Sequence, residues 1–478
     1  MNSNFREKTL QNIRRLIWLY LWLLIFEGAL RKWVVPSLSN PLLIVRDPVV
    51  ILIYALSIRA RVFPRNGWTA AIALIGLISL AVSFIPLWPY LPPTRILLVG
   101  GFGFRSNFLH LPLIFVMASV LRREDVRKIG WWALALMPAM ALLMAGQFRS
   151  APDAFLNRTA GGEGEMMTSA LGKVRTAGTF SFVTGVIAYF ALATGFLIWG
   201  ALKRDVYRSW LLYAAGCAMA IGIAVSGSRS VVAACAVVAA SLLVVLVLRP
   251  SALNRFGQTV LVAVVLGFIV MQTPIFKEGA NVLTTRFNEV AEATEKSVGA
   301  GLVERFFGEF AESFRALTHA PILGYGLGIG TNAGAKFLTG RQMFLLSESE
   351  WARLYLESGP ILGLAFIIWR IALVVWAGLL CLKALKLSNV LPLLLFSGTF
   401  LLMISGQFGQ PTVLGFAVVG FGLALAALKE GDGDVTASPE PAHLRAPVPR
   451  PLPRRSEYAR RLHENGASPT HDNGSADR

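Results

Sequence analysis

Charge and cysteine are what this sequence has little of. Charged residues make up 15% of its 478 residues, whereas a soluble domain usually carries about 25%. Hydrophobic residues make up 55%, so an ordinary water-soluble enzyme is excluded. The three cysteines, Cys217, Cys235 and Cys381, all fall inside apolar runs, and this placement leaves no disulfide framework.

Histidine is also scarce, with five residues in the whole chain. Three of them, His443, His463 and His471, lie after residue 430, which excludes a histidine-rich metal site. The single Asp-x-Asp string, Asp432 to Asp434, lies in the same terminal part.

What the sequence has in abundance is long apolar runs. A helix of about 20 consecutive apolar residues crosses a bilayer, and in lipid every backbone polar group must be paired within the protein. The strands of a membrane barrel would alternate in polarity, and these runs do not. The sequence therefore predicts an all-α, polytopic membrane protein with about twelve spans. The predicted spans are 16–35, 42–58, 68–88, 96–121, 129–147, 180–202, 210–227, 230–248, 258–274, 356–382, 389–405 and 412–428.

Basic residues follow the even-numbered spans, as in the connections around Arg59, Arg122, Lys203 and Lys383. Cytoplasmic loops carry such an excess of Lys and Arg. We therefore predict that both termini are cytoplasmic. The formal charge of +18 is explained by these loops, and we expect no nucleic-acid partner. Arg31 and its neighbour Lys32 are an exception, because they fall at the outer end of the first span.

Two outer segments, 148–178 and 275–355, are long enough to carry chemistry. In the second, apolar residues from Val303 to Leu317 recur at helical spacing, which predicts an amphipathic helix. That helix lies either at the membrane surface or on the outer ends of the bundle. We place the transmembrane domain at 1–430. Residues 431–478 are rich in proline and poor in apolar runs, which predicts a disordered cytoplasmic tail.

Arginine dominates the charges on the predicted outer side, where Asp153 is the one clear loop aspartate. Without paired carboxylates an outer site does not readily hold Mg²⁺ or Mn²⁺. Guanidinium groups bind phosphate by bidentate contacts and keep their charge. The pattern therefore favours an arginine-lined outer cavity without metal or cofactor that binds a lipid-linked diphosphate. The outer arginines are Arg105, Arg158, Arg175, Arg229, Arg286, Arg305, Arg315, Arg341 and Arg353.

Several short motifs resemble the O-antigen ligase and O-antigen polymerase superfamily of bacterial envelope proteins. Arg305 opens a segment that continues into a Pro-x-x-Gly-x-Gly-x-Gly turn, with glycines at Gly324, Gly326 and Gly328. A helix carrying Glu357-x-Gly then leads into the next span. Upstream lie an Arg-Thr-Ala-Gly-Thr-Phe motif beginning at Arg175 and a Ser-Gly-Ser-Arg motif ending at Arg229. The N-terminal third resembles an exopolysaccharide-associated branch of the same superfamily.

The resemblance implies a GT-C-like glycosyltransferase of the bacterial inner membrane. Such an enzyme transfers a glycan, with inversion and without metal, from a polyprenyl diphosphate to an acceptor hydroxyl at the outer face. Arg105, Arg175, Arg229, Arg305 and Arg353 are expected to bind the diphosphate or the glycan. Relatives often place a histidine before the Glu-x-Gly helix; here Glu348 stands in that loop, and we expect it to be the catalytic base. Membrane lipid and other polysaccharide-assembly proteins are the further partners that the resemblance implies.

Each of these side chains also has a structural interpretation. Arg175 could be a surface charge, and Arg229 could anchor a short turn at the membrane interface. Arg305 could pair with Glu309 four residues later on a helix. Arg105 and His110, five residues apart in the fourth predicted span, could serve helix–helix hydrogen bonding.

Arg353 has the strongest structural alternative, because Glu350 lies three residues before it and Glu357 four residues after it. A helical ladder of ion pairs would account for all three side chains. Glu348 has Ala352 four residues later and therefore no such partner. Glu27 and Arg31 are also spaced as a helical pair, which predicts a structural pair inside the first span.

Three further functions compete with polymerisation of exopolysaccharide or O-antigen repeat units. The same motifs suit a ligase that transfers the glycan to a lipid A core. Twelve spans with both ends inside are also a common transporter layout, although the two halves, 16–248 and 258–428, lack the similarity of a repeat. A scaffold of an envelope-assembly complex is the third alternative.

Overall fold

The computed structural model describes residues 3–161, 166–203, 205–248, 265–294, 308, 311–340 and 345–429. Arg305 and the predicted tail 431–478 lie outside the described residues. Within these ranges the fold is helical and has no strand; an isolated bridge pairs Thr168 with Val174.

The helices are numbered here in chain order. They are α1 (Ser3–Ala29), α2 (Ser39–Leu42), α3 (Arg46–Arg59), α4 (Gly67–Val82), α5 (Phe84–Leu87), α6 (Pro93–Phe104), α7 (Leu113–Val120), α8 (Arg123–Ala135), α9 (Met137–Arg149), α10 (Val183–Leu202), α11 (Ser209–Val225), α12 (Arg229–Leu248), α13 (Pro274–Thr294), α14 (Asn332–Thr339), α15 (Glu350–Lys386), α16 (Leu391–Ser397), α17 (Phe400–Ser405) and α18 (Pro411–Ala426). Helical stretches also cover 265–272 and 311–319.

Seven helical segments of the described chain are long and apolar enough to cross a membrane. They confirm the prediction of a helical, membrane-embedded protein. Two more apolar helices, α11 and α18, are shorter. The seven segments are Pro36–Arg59, Gly67–Leu87, Pro93–Val120, Arg123–Arg149, Val183–Leu202, Arg229–Val247 and Glu350–Lys386.

The core lies around α18, which is apolar on every side and buried along nearly its whole length. A helix that is hydrophobic all round is buried by its neighbours, and here α7, α10 and α16 pack against it. Glycines in α18 permit close approach: a Cβ at Gly422 would lie 2.8 Å from the sulfur of Met117 in α7.

The connections that the charge pattern predicts to be cytoplasmic meet at one end of the bundle. Arg14 pairs with Asp125 at 3.5 Å, and Lys429 donates to the carbonyl oxygen of Ser119 at 2.8 Å. Arg14 and Arg31 are separated by about 25 Å along a helical chain, at 1.5 Å per residue. Arg31 therefore lies at the opposite end of the bundle, which the charge pattern predicts to be extracytoplasmic.

Candidate functional site

A cavity of about 350 Å³ lies at the end of the bundle predicted to be extracytoplasmic. Three cations line it, Arg31, Arg105 and Lys336, and its described lining contains no Asp or Glu. Most of the other lining residues have hydroxyl or amide side chains or are phenylalanines. Among them are Asn40, Ser106, Ser181, Thr184, Thr331, Gln410, Thr412, Phe102, Phe182 and Phe337.

Arg105 is held by one edge of its guanidinium group. Its Nε donates to the Asp47 carboxylate and its Nη2 to the Leu43 carbonyl oxygen. Its Nη1 makes no hydrogen bond to any described atom. Because Arg carries five N–H donors in a planar fork, the free end can donate to an anion in the cavity.

Arg31 is anchored in a similar way. Its Nε donates to the carbonyl oxygen of Ser39 at 2.9 Å, and its Nη1 donates to Ser181 Oγ at 3.1 Å. The Glu27 carboxylate lies 3.5 Å from Nη1, so the structural pair expected from sequence is present. Arg31 also lines the cavity, which the pairing alone did not predict.

Both cavity arginines lie in π-helical turns, Leu30–Val34 after α1 and Arg105–Leu109 after α6. A π turn inserts one extra residue into a helix, and such turns are frequent at functional sites. The extra residue rotates the side chains that follow it relative to the helix before it. Arg31 keeps its i,i+4 ion pair with Glu27, and Arg105 is the first residue of its turn, so the change of direction falls on the residues that follow the arginines.

Lys336 reaches the cavity from α14. Thr331 caps this helix by accepting a hydrogen bond from Gly334 N at 3.0 Å, and the Phe337 ring contacts Phe102 with 5.2 Å between centroids. The Lys336 side chain is exposed and makes no ion pair with a described residue. It is therefore the cavity cation that can change partners at the lowest cost.

The predicted glycine turn packs against a break in α15. Gly359 has φ 77° and ψ 168°, and Pro360 follows it without an N–H to continue the helix. The carbonyl oxygen of Leu356 accepts a hydrogen bond from Tyr325 N at 2.7 Å instead. The two motifs that resemble the polymerase superfamily are thus halves of one hydrogen-bonded unit.

Three glycines of this turn have positive φ, 71° at Gly324, 121° at Gly326 and 91° at Gly328. A Cβ at Gly328 would collide with the Val99 carbonyl oxygen of α6, and one at Gly324 with that of Glu357. Glycine is the residue that tolerates both the backbone conformation and the close approach. The turn is therefore packed directly onto α6, and the π turn that carries Arg105 begins at the residue after this helix ends.

Arg353 belongs to a buried network of ion pairs rather than to the cavity wall. It donates from Nε to Glu350 at 3.0 Å and from Nη1 to Glu357 at 2.8 Å, and its Nη2 donates to Asn107 at 2.9 Å. Arg370, which lies after the break in α15 at Gly359, also donates to Glu350 at 2.9 Å. Two arginines balance two carboxylates, so the helical ladder is present and leaves no free charge for a ligand.

The same network holds two loops in place. Glu357 Oε1 accepts from Gly330 N at 2.9 Å at the end of the glycine turn. Arg370 donates to the carbonyl oxygens of Met403 and Gly406 ahead of α18, at 2.6 and 2.9 Å. The network therefore contributes to the site by positioning the loops that carry Thr331 and Gln410.

Glu348 lies beside the cavity in a separate hollow of about 10 Å³, the size of one water molecule. This hollow shares Thr331, Gly409 and Gln410 with the cavity lining. The Glu348 side chain is exposed and its carboxylate has no hydrogen bond or ion pair with a described residue. A free carboxylate at a water-sized hollow can accept a proton from a hydroxyl group there.

Arg175 and Arg229 lie near one another but do not line the cavity with Arg105. An ideal Cβ on Gly227, two residues before Arg229, would lie 3.9 Å from Arg175 Cγ. Arg229 donates to the Arg286 carbonyl oxygen at 3.3 Å. The Arg175 Nε is buried and has no described hydrogen-bond partner. The described members of the expected set therefore do not share one cavity, and Arg105 is the one that lines it.

The motif after Arg175 runs as a buried segment from this arginine toward the cavity wall. Thr176 donates to Val225 O at 3.2 Å, and Lys32 Nζ donates to Gly178 O at 2.6 Å. The segment ends beside Ser181, which accepts from Arg31 in the cavity wall. Its threonine and glycine are therefore explained by packing.

Two cavity cations, Arg31 and Lys336, were not among the residues expected to bind substrate. For Arg31 the sequence contained a signal, because a cation at the outer end of the first span breaks the charge rule. For Lys336 it contained none, since a lone lysine on a short amphipathic helix is ordinary.

No protein-family model matches this chain, and no curated protein matches it. The resemblance to the O-antigen ligase and polymerase superfamily rests on the motifs quoted above.

Proposed function

We propose that this chain is a glycosyltransferase that polymerises lipid-linked glycan repeat units, without metal, at the extracytoplasmic face of a bacterial inner membrane. The donor is a glycan on a polyprenyl diphosphate, and the acceptor is a sugar hydroxyl. The proposal includes about twelve spans with both termini in the cytoplasm, as the loop charges predict.

The observation that carries the proposal is the charge of the cavity. Arg31, Arg105 and Lys336 line it, and no carboxylate is among its described lining residues. Such a lining attracts an anion, and the carboxylates that usually hold a divalent cation are absent from its described residues. Charge-assisted contacts from arginine to phosphate are about twice as strong as neutral hydrogen bonds. A diphosphate suits this wall better than a neutral sugar or a cation does.

The second support is that the cavity is amphiphilic. Phe102, Phe182 and Phe337 line the cavity together with the cations, and Phe182 and Phe337 are 55% and 50% exposed. An anionic head with an apolar tail matches cations beside exposed rings. In a membrane the exposed rings would contact the polyprenyl chain or lipid while the head reaches Arg105.

The proposed step forms one bond and breaks another at the anomeric carbon of the donor sugar. The acceptor oxygen attacks the anomeric carbon on the face opposite the diphosphate, a glycosidic bond forms, and the bond to the diphosphate breaks with inversion. Glu348 takes the hydroxyl proton, and the polyprenyl diphosphate leaves with its electron pair. Arg105, Arg31 and Lys336 stabilise the negative charge that develops on the leaving group.

A ligase that transfers the glycan to a lipid A core would use the same step with another acceptor. The hollow beside Glu348 accommodates one hydroxyl group and does not discriminate between these acceptors. The exopolysaccharide-like N-terminal third favours the polymerase.

The direct test is reconstitution of the purified protein in vesicles that contain a polyprenyl-diphosphate-linked oligosaccharide and a chelator of divalent cations. We expect lipid-linked glycans of increasing length, together with released polyprenyl diphosphate. Lys336→Ala removes one charge-assisted contact, worth about 1.5–3 kcal/mol, and should lower the transfer rate about 10- to 100-fold.

Lys277→Ala is the matched control, because Lys277 is an exposed lysine of α13 that does not line the cavity. It should transfer at the wild-type rate. Equal rates for the two lysine variants, or a wild-type protein that makes no glycan, would contradict the proposal.

A further inference from the structure

The two cavity arginines are the two ends of one continuous run of side chains, and every member between them is buried. Each member contacts the next through a hydrogen bond or an ion pair. The run passes through two carboxylates, a third arginine, a tyrosine and a histidine. In order, its members are Arg31, Glu27, Arg46, Tyr20, His110, Asp47 and Arg105.

The half of this run nearest Arg105 has short contacts. Asp47 Oδ2 accepts from Arg105 Nε, and Asp47 Oδ1 lies 2.9 Å from His110 Nε2. His110 Nδ1 lies 2.9 Å from the Tyr20 hydroxyl. Asp47 is 9% exposed, His110 2% and Tyr20 0%, so water does not compete for these bonds.

The other half leads back to Arg31. Arg46 Nη1 donates to the Tyr20 hydroxyl at 3.3 Å, and Arg46 Nε donates to Glu27 Oε2 at 3.2 Å. Glu27 Oε1 lies 3.5 Å from Arg31 Nη1. Arg46 also donates to the Pro411 carbonyl oxygen at 2.6 Å and has no nitrogen left for a ligand.

These contacts assign the protons. Arginine can only donate, so the Tyr20 oxygen accepts from Arg46 and its own hydrogen points to His110 Nδ1. His110 Nδ1 is therefore the acceptor, and Nε2 carries the hydrogen that Asp47 accepts. The imidazole is neutral, because a second N–H would leave the buried Tyr20 hydroxyl hydrogen without an acceptor.

We infer that Tyr20, His110 and Asp47 are positioning residues that orient the free end of Arg105 toward an anionic diphosphate group in the cavity. His110 fixes one oxygen of Asp47, so that the other meets Arg105 Nε along one edge of the guanidinium group. The opposite end, with Nη1, then faces the cavity. The inference rests on the proposed function for the chemical class of the ligand and not for the transfer of sugar.

Charge alone leads to the opposite expectation for Asp47. A carboxylate beside Arg105 reduces the attraction of the cavity for an anion, so its removal should tighten binding. If Asp47 acts by orientation, its removal weakens binding although the cavity becomes more positive. The sign of the change therefore separates a positioning role from a purely electrostatic one.

The experiment measures the affinity of inorganic pyrophosphate for the detergent-solubilised full chain by calorimetry, without divalent cations. We expect Asp47→Asn to bind pyrophosphate about tenfold more weakly than the wild type, since a misoriented donor loses one charge-assisted bond. Tyr20→Phe leaves the charge unchanged and should weaken binding in the same direction. Tighter or unchanged binding in Asp47→Asn would overturn the inference.

Tyr189→Phe is the control for Tyr20→Phe. Tyr189 is buried as Tyr20 is, its hydroxyl donates to the Ala133 carbonyl oxygen at 2.7 Å, and it neither belongs to the run nor lines the cavity. This variant should bind pyrophosphate as the wild type does. A Tyr189→Phe variant that loses as much affinity as Tyr20→Phe would reduce the run to packing and overturn the inference.

A histidine nitrogen signal supplies a readout that packing would not move. In solid-state spectra of ¹⁵N-histidine protein, the signal lost in His110→Asn should be that of a neutral ring with hydrogen on Nε2. Pyrophosphate should shift this signal. An anion bound to Arg105 changes the hydrogen bond between Arg105 and Asp47, and therefore also the one between Asp47 and His110. A positively charged ring, or a signal that does not shift when pyrophosphate is added, would overturn the inference.

The two failures are distinguishable. If the protein binds pyrophosphate and the run orients Arg105 as inferred, but the protein transfers no sugar, the proposed function alone is contradicted. A wild-type protein that transfers glycan but fails to bind pyrophosphate would contradict the inference alone.

Discussion

Glu348 and Glu350 are two residues apart in sequence and are expected to respond differently to the same substitution. Glu350 is buried, and four N–H groups converge on its carboxylate. They come from Arg353 at 3.0 and 2.9 Å, from Arg370 at 2.9 Å and from the backbone of Phe408 at 3.3 Å. Glutamine at this position would turn an amide N–H toward a guanidinium group and leave two arginines with one carboxylate.

The cost of Glu350→Gln follows from that imbalance. Breaking a buried ion pair by removing one partner costs about 3–5 kcal/mol. The Glu348 carboxylate is exposed and unpaired within the described residues, so Glu348→Gln should change stability by no more than about 0.5 kcal/mol. Loss of a general base should still lower its transfer rate about 10²- to 10⁴-fold.

The assay pairs two measurements on the same detergent-solubilised samples. The first is the temperature at which half of the protein leaves the monodisperse peak on a sizing column, and the second is the rate of glycan transfer in vesicles. We expect Glu350→Gln to lose thermal stability and Glu348→Gln to keep it while losing turnover. Equal stability losses in the two variants, or full turnover in Glu348→Gln, would refute the assignment of the base.

Two further predictions concern the glycine turn and the orientation of the chain. Gly328→Ala should stop transfer, because its Cβ would collide with Val99 of α6 and its φ is positive. Gly267→Ala is the control and should leave transfer intact, because a Cβ there meets nothing within 4 Å. Equal activity of the two variants would count against the packing of the turn. In a cysteine-free background, Lys277→Cys should react in intact cells with a membrane-impermeant thiol reagent and Lys386→Cys should not; the reverse pattern would place the cavity on the cytoplasmic side.

The sequence was sufficient to predict the helical membrane fold because the bilayer imposes a strong rule on composition. Apolar runs of the required length coincide with the long helices, as at Gly67–Leu87 and Val183–Leu202. The predicted span 389–405 is instead two short helices, α16 and α17, separated at Gly398 and Thr399. Hydropathy does not register such a break, since both halves are apolar.

Part of the site could also be predicted. Arg105 was expected to bind substrate, and it lines the cavity. The ladder around Arg353 was a stated alternative, and the spacing of the charges was enough to suggest it. Which interpretation holds depends on whether the guanidinium group has a free edge, and that is decided by distant partners such as Asn107.

Arg31 was missed for a physical reason. The helical spacing to Glu27 explains its charge, so no further role is required by the sequence. Its place in the cavity wall depends on contacts with distant residues such as Ser181, which lies 150 residues away in sequence. The run through Tyr20 and His110 depends likewise on packing between helices that are far apart in the chain.

The most direct test of the cation-lined cavity is a comparison of two lipids that differ only in their head. Binding of a polyprenyl diphosphate and of the matching polyprenol would be measured on the protein in nanodiscs, in the presence of a divalent-cation chelator. We expect the diphosphate to bind at least about tenfold more tightly, since one charge-assisted contact is worth about 1.5–3 kcal/mol, and Lys336→Ala to reduce that preference. Equal affinity for the two lipids, or a preference that appears only when Mg²⁺ is added, would contradict the central claim.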